Sequence, residues 1–144
     1  MILQTNYDKV ANNRCAADYP FLSIERINTK SVNTGGRLKR MIRFLKNIKA
    51  DSKQKIDLSS FDINAICYNI DIDAYKDLHY LYLVTIVFLQ LHKIAYDESY
   101  ANSITSVDGK EYIFRGNNKR REVATMLQNV STIYSILKEQ HLII

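Results

Sequence analysis

Across residues 78–91 the chain is apolar on nearly every side, and its longest apolar stretch, 81–91, is interrupted only by Thr85 and Gln90. A segment with no wet face has to be wrapped by other elements, and it is much shorter than the roughly 20 residues that span a bilayer. It therefore predicts the central helix of a bundle, running from about residue 75 to 96. A helix-rich composition agrees: 47% hydrophobic residues and ten Tyr against four Gly and one Pro in 144 residues. That length fits one domain with a single core.

Other segments carry the one-sided pattern that would wrap such a helix. Leu38, Met41, Ile42, Leu45 and Ile48 recur at helical spacing, so residues 36–50 are predicted to form an amphipathic helix opened by Gly35-Gly36. Asp57-Leu58-Ser59-Ser60 supplies cap residues just before Phe61, Ile63, Ile66 and Ile70, so a second helix should start at Ser59 or Ser60 with free N–H groups in its first turn. Val123, Met126, Leu127, Val130, Ile133, Tyr134 and Leu137 predict a last helix over about 119–140. Asp108-Gly109, flanked by Ile104-Thr105-Ser106-Val107 and Tyr112-Ile113-Phe114, predicts a small β-hairpin near 104–114. Residues 1–36, with Asn12-Asn13, Pro20, Asn33 and the glycine pair, read as an extended lead-in. The expectation is mainly α: a bundle of four or more helices over 37–144 plus that hairpin.

The net charge of +5 is not spread evenly. Residues 37–55 hold eight basic side chains (Arg37, Lys39, Arg40, Arg43, Lys46, Lys49, Lys53, Lys55) against the single acid Asp51, so the whole excess sits there. Local asymmetry of this kind points to an anionic partner, because a merely soluble surface mixes signs. Cys15 and Cys67 lack any metal-ligand or disulfide pattern, the N-terminus has too short an apolar run for a signal peptide, and no segment is long enough to cross a membrane. A reducing cytoplasm and no membrane partner are expected.

A basic helix ending in Phe44-Leu45-Lys46, then a loop, then Leu58-Ser59-Ser60-Phe61 opening the next helix, resembles the helical domain of polymerase-β-like nucleotidyltransferases. The superfamily includes poly(A) polymerases, oligoadenylate synthases, cyclic GMP-AMP synthase and bacterial anti-phage signalling synthases. The likeness extends over most of 19–114 and leans toward bacterial cyclic-oligonucleotide synthases, where a lead-in similar to Tyr19-Pro20-Phe21 and residues 24–28 precedes the basic helix. It implies that Lys46 and Ser60 contact nucleotide phosphates. It also implies Mg²⁺ bound with a nucleoside triphosphate, with the metal ligands on a catalytic domain missing here.

The residues support a phosphate site on their own terms, because a lysine beside a serine-capped helix start supplies both charge and donors. Arg43 and Lys49 flank Lys46 at helical spacing, and Ser59 shares the turn with Ser60. The plainer reading is a solvated basic face with serines that merely cap. Asp71-Ile72-Asp73 is the one Asp-x-Asp, but it follows the serine-capped helix in a loop setting, where it reads as a connection or cap rather than a metal site. His79, His92 and His141 are assigned no role, Tyr68, Tyr75, Tyr80 and Tyr82 read as packing, and Arg115, Lys119, Arg120 and Arg121 read as a solvated helix start.

These residues fit a triphosphate-gripping half of a nucleotidyltransferase that lacks catalytic carboxylates and is inactive without a catalytic partner chain. A nucleic-acid-binding helical module, using the basic stripe on phosphates without a nucleotide pocket, is the competing reading. A structural or interaction protein with an apolar docking surface is the third.

Overall fold

The computed structural model describes residues 18–144; the part of the expected lead-in over 1–17, Cys15 included, lies outside the described residues. Among the described residues six α-helices follow in order: α1 (Asp18–Asn33), α2 (Arg37–Asp51), α3 (Ser60–Tyr68), α4 (Leu83–Tyr96), α5 (Glu98–Ser103) and α6 (Lys119–Glu139), with 3₁₀ turns at Ile72–Ala74 and Tyr80–Tyr82. The bundle expectation holds. The most extensive packing is between α4 and α6, while α2 rests on α3 and α1. Leu38, Leu45, Leu58, Ile66, Leu91 and Val130 are fully enclosed between them.

Three expectations need correction. Residues 18–33 are helical, not extended. Pro20 sits in the first turn of α1, where its missing N–H has no intrahelical partner to lose. Ile27 and Ser31 then bury toward the bundle, and the helix closes through Gly36 N–H donating to Ser31 O. Both glycines of that turn have positive φ, +63° and +83°, and a Cβ on Gly35 would meet Arg37 Nη1 at 2.8 Å.

The central helix starts at Leu83 rather than near residue 75. Its apolar approach is real, but His79 Nδ1 accepts from Leu81 N–H and Arg37 Nε donates to Leu78 O at 2.7 Å. The first bond is a local turn and the second ties the segment to α2, and together with short turns such as Leu78 N–H to Tyr75 O they stand in place of a helical ladder.

The 104–114 hairpin reduces to one antiparallel bridge, Thr105 to Tyr112. The turn closes a step earlier than expected, with Gly109 N–H donating to Ser106 O, so Asp108-Gly109 ends it. The Asp108 carboxylate accepts from Ser106 Oγ and Lys110 N–H, and Arg26 takes Val107 O at 2.9 Å. Two backbone bonds, Ser106 N–H to Glu111 O at 2.8 Å and Ile113 N–H to Ile104 O at 3.1 Å, flank that bridge, and these side chains add to so short a pairing.

Candidate functional site

The periodicity that buries Leu38, Met41, Ile42, Leu45 and Ile48 of α2 sends its cations to the remaining faces, and they meet different fates. Arg37 also gives Nη1 to Thr34 O at 3.0 Å, and the Arg40 guanidinium lies 3.8 Å from the Tyr80 ring centroid. Lys49 Nζ donates to Leu58 O at 2.6 Å. Among the described residues, the side chains of Lys39, Arg43 and Lys46 have no hydrogen bond or ion pair. These three stand together along a cleft of about 330 Å³, with Ile24, Ile27 and Asn28 of α1, Ile42 of α2 and Asn64 of α3 completing its walls.

The serine turn is built as a reciprocal capping box. Ser59 Oγ accepts from Asp62 N–H at 3.2 Å, and Asp62 Oδ2 accepts from Ser59 N–H at 2.9 Å. Ser59 is therefore the cap, and α3 begins at Ser60. Ser60 is exposed and its hydroxyl makes no hydrogen bond among the described residues. It lies one turn before Asn64, so the face of α3 that it starts is the one reaching the cleft.

The structure thus gathers Lys46 and Arg43 in one cleft that α3 reaches through Asn64, and Ser60 is not among the residues lining it. It engages Lys49 and Ser59 in shaping the turn, and leaves Ser60 open.

Sequence reasoning missed what holds the turn from behind. Asp62 is 2% exposed, and its Oδ1 pairs with Lys119 Nζ of α6 at 2.9 Å. Glu122 Oε1, also on α6, accepts from Asp57 N–H at 2.8 Å. The capping-box spacing from Ser59 to Asp62 was readable; a partner 57 residues away was not. The second basic cluster is accordingly no simple solvated helix start. Arg115 Nε donates to Asn102 O at 2.8 Å, and Arg120 donates to Ile94 O and Ala95 O at 3.0 and 2.9 Å, covering the end of α4.

Other titratable groups are accounted for structurally. Asp71 caps its 3₁₀ turn through Asp73 N–H, and Asp73 pairs with Lys76 at 3.3 Å. No group of three or more His, Cys, Asp or Glu side chains that could hold a metal ion comes together among the described residues. Burial pushes the Cys67 thiol up to about 12, against the weaker pull of Lys46 and Lys30, which leaves it an inert core group. Burial also lowers Lys30, whose Nζ donates to Tyr68 O and Ile70 O. No helix among the described residues is long and apolar enough to cross a membrane.

The comparisons with known proteins also find a helical domain. Residues 25–135 match the cGAS/DncV-like nucleotidyltransferase C-terminal helical domain, and the chain belongs to that family. It is 47% identical over 143 residues to a c-di-GMP synthase of Flavobacteriaceae sp., covering 96% of this chain and 39% of that protein. A c-di-GMP synthase of a Lachnospiraceae bacterium is 47% identical over 112 residues, covering 78% and 32%. The solved STING-associated CdnE c-di-GMP synthase from Capnocytophaga granulosa superposes with a TM-score of 0.83 at 53% identity, over 85% of this chain and 41% of that one. The chain thus spans about two fifths or less of the length of these relatives.

Proposed function

We propose that this domain is the triphosphate-gripping helical half of a cyclic-dinucleotide-forming nucleotidyltransferase, whose catalytic carboxylates and Mg²⁺ ions belong to a separate catalytic part. The observation that carries this reading is the set of three cations, Lys39, Arg43 and Lys46, that have no side-chain hydrogen bond or ion pair among the described residues and line one cleft with Asn64, one turn along α3 from Ser60. Unpaired positive charge and unused hydrogen-bond donors are what a polyphosphate requires, and both lie on rigid helices. Lys46 supplies a point charge from the cleft wall, Ser60 a hydroxyl donor from the helix start, and Arg43 a flanking charge. Holding the phosphates this way orients the donor for in-line displacement without this chain touching the reacting carboxylates. The relatives are c-di-GMP synthases, so GTP is the proposed donor.

The test is calorimetric titration of the chain with GTP and with ATP in Mg²⁺, with a short DNA duplex as the competing ligand. Saturable GTP binding that disappears in Lys46→Ala and weakens in Ser60→Ala is expected. Duplex binding that falls steeply with salt and ignores both substitutions would instead make the domain a nucleic-acid module.

A further inference from the structure

The α3 helix start should be a poor place for a phosphate. A capping-box carboxylate at Asp62 puts a negative charge in the very turn whose N–H groups and dipole are to attract an anion. Buried as it is, that charge is weakly screened by solvent. Lys119 resolves the conflict from α6, 57 residues along the chain: its ammonium sits 2.9 Å from Asp62 Oδ1 and cancels the charge while Asp62 Oδ2 stays committed to Ser59 N–H. Lys49, by taking Leu58 O at 2.6 Å, fixes the same turn against α2, the helix that carries Lys46.

We propose that Lys119 is a positioning residue for the triphosphate site, keeping the Ser59-Ser60 turn receptive to phosphate by neutralising the buried Asp62 while leaving its cap intact. The role rests on the phosphate reading of Lys46 and Ser60 above. It acts through charge, and this gives it a signature that plain structural support lacks. Removing Lys119 exposes the incoming phosphate to an uncompensated carboxylate. Removing the carboxylate's charge as well restores neutrality, even though the ion pair is still missing.

The experiment is GTP titration in Mg²⁺ of the whole chain as wild type, Lys119→Met, the double variant Lys119→Met with Asp62→Asn, and Lys46→Ala, with circular dichroism melts of each. Asn at position 62 still accepts from Ser59 N–H, so the cap survives. Lys119→Met is expected to weaken GTP binding roughly tenfold, the scale of one unit charge a few ångströms further off at an intermediate dielectric. The double variant is expected to return to within about threefold of wild type despite melting lower than wild type. Unchanged affinity in Lys119→Met, or a double variant as weak as the single one, overturns the proposal. Should Lys119→Met fail to fold, Lys119→Gln, which keeps a donor for Asp62 Oδ1 without the charge, takes its place: a loss of roughly tenfold that Asp62→Asn restores supports the charge mechanism, and unchanged affinity sinks it. A wild-type chain that binds no GTP, or binds it regardless of Lys46→Ala, fails the phosphate reading itself and takes the positioning role with it. Wild-type binding that needs Lys46 but not Lys119 fails the positioning role and leaves the phosphate reading standing.

Discussion

The cations of this domain divide into two sets that look alike in sequence and behave differently in the fold. Arg37, Lys49, Lys119 and Arg120 each reach across to a carbonyl or carboxylate of another segment, whereas Lys39, Arg43 and Lys46 reach into a cleft and meet no acceptor among the described residues. Positive charge on the first set is consumed by folding, and on the second it stays available. A basic stripe is thus not a binding site as a whole. The binding capacity lies in what remains after the fold has taken its share, and the two sets should separate cleanly between stability and ligand affinity.

The largest expected effect falls on the consumed set. Arg120 covers two carbonyls at the C-terminal end of α4, Ile94 O and Ala95 O, where a cation also complements the helix dipole. Arg120→Ala should cost about 2 kcal/mol in urea denaturation, the scale of losing charge-assisted bonds to partly buried acceptors, with GTP affinity unchanged for the chain that stays folded. A loss below about 0.5 kcal/mol would show that water replaces the guanidinium there and would blur the division.

Next in size is a pH effect in the core between the two sets. Cys67 has an ordinary value of 9.0 and is pushed up to about 12 by burial, with Lys46 and Lys30 opposing weakly. Between those values the unfolded chain gives up its thiol proton while the folded chain keeps it. The unfolded state then binds fewer protons, so stability falls as pH rises from 9 toward 12. By pH 10 the loss attributable to this one group is about 1.4 kcal/mol. Other groups titrate in the same range, so the measurement is the difference in slope between wild type and Cys67→Ala. Equal slopes would mean that Lys46 and Lys30 compensate burial far more than their placement implies.

How much of this was readable beforehand follows from the range of the forces involved. The faces of α2, α3 and α6 were legible because periodic burial is a local pattern, and the Ser59 cap was legible because its partner is three residues away. The helical state of α1 was hidden by Pro20 and the Asn-rich stretch, turn signals that lose their force when the proline falls in a first helical turn. The late start of α4 was hidden because an apolar run looks the same whether its backbone bonds run along a helix or out to Arg37 and its neighbours. For the site, the sequence reading pointed to Lys46, Arg43 and Ser60, residues the structure leaves unengaged, but it counted Lys49 and Ser59 among the phosphate contacts. Their engagement, like that of Lys119, depends on partners nine, three and 57 positions off, and of these a local pattern reveals the second.

Lys49 tests that point at about 1 kcal/mol. The residue as a whole is exposed, and its ammonium holds the carbonyl that precedes the cap in a partly buried bond. Lys49→Ala should lower stability by about 1 kcal/mol and loosen GTP binding indirectly, through a less fixed turn. Lys49→Arg, which can still donate to Leu58 O, should recover most of the stability. A variant that lost all binding at unchanged stability would return Lys49 to the phosphate-contacting set.

The smallest expected stability effect is the one that defines the comparison. Lys39, Arg43 and Lys46 follow one another at four- and three-residue intervals along α2, so they are like charges one turn apart with no acceptor among the described residues to offset their repulsion. Replacing all three by Gln removes no hydrogen bond or ion pair within the described residues, and should leave the unfolding free energy within about 0.5 kcal/mol of wild type. At low salt the variant should be slightly the more stable, and that margin should shrink as salt screens the repulsion. The same triple variant should bind no GTP. If it instead lost more than about 1 kcal/mol, the three cations would be serving the fold through contacts that their open placement does not provide, and the separation between consumed and available charge would fail at the residues on which the phosphate reading depends.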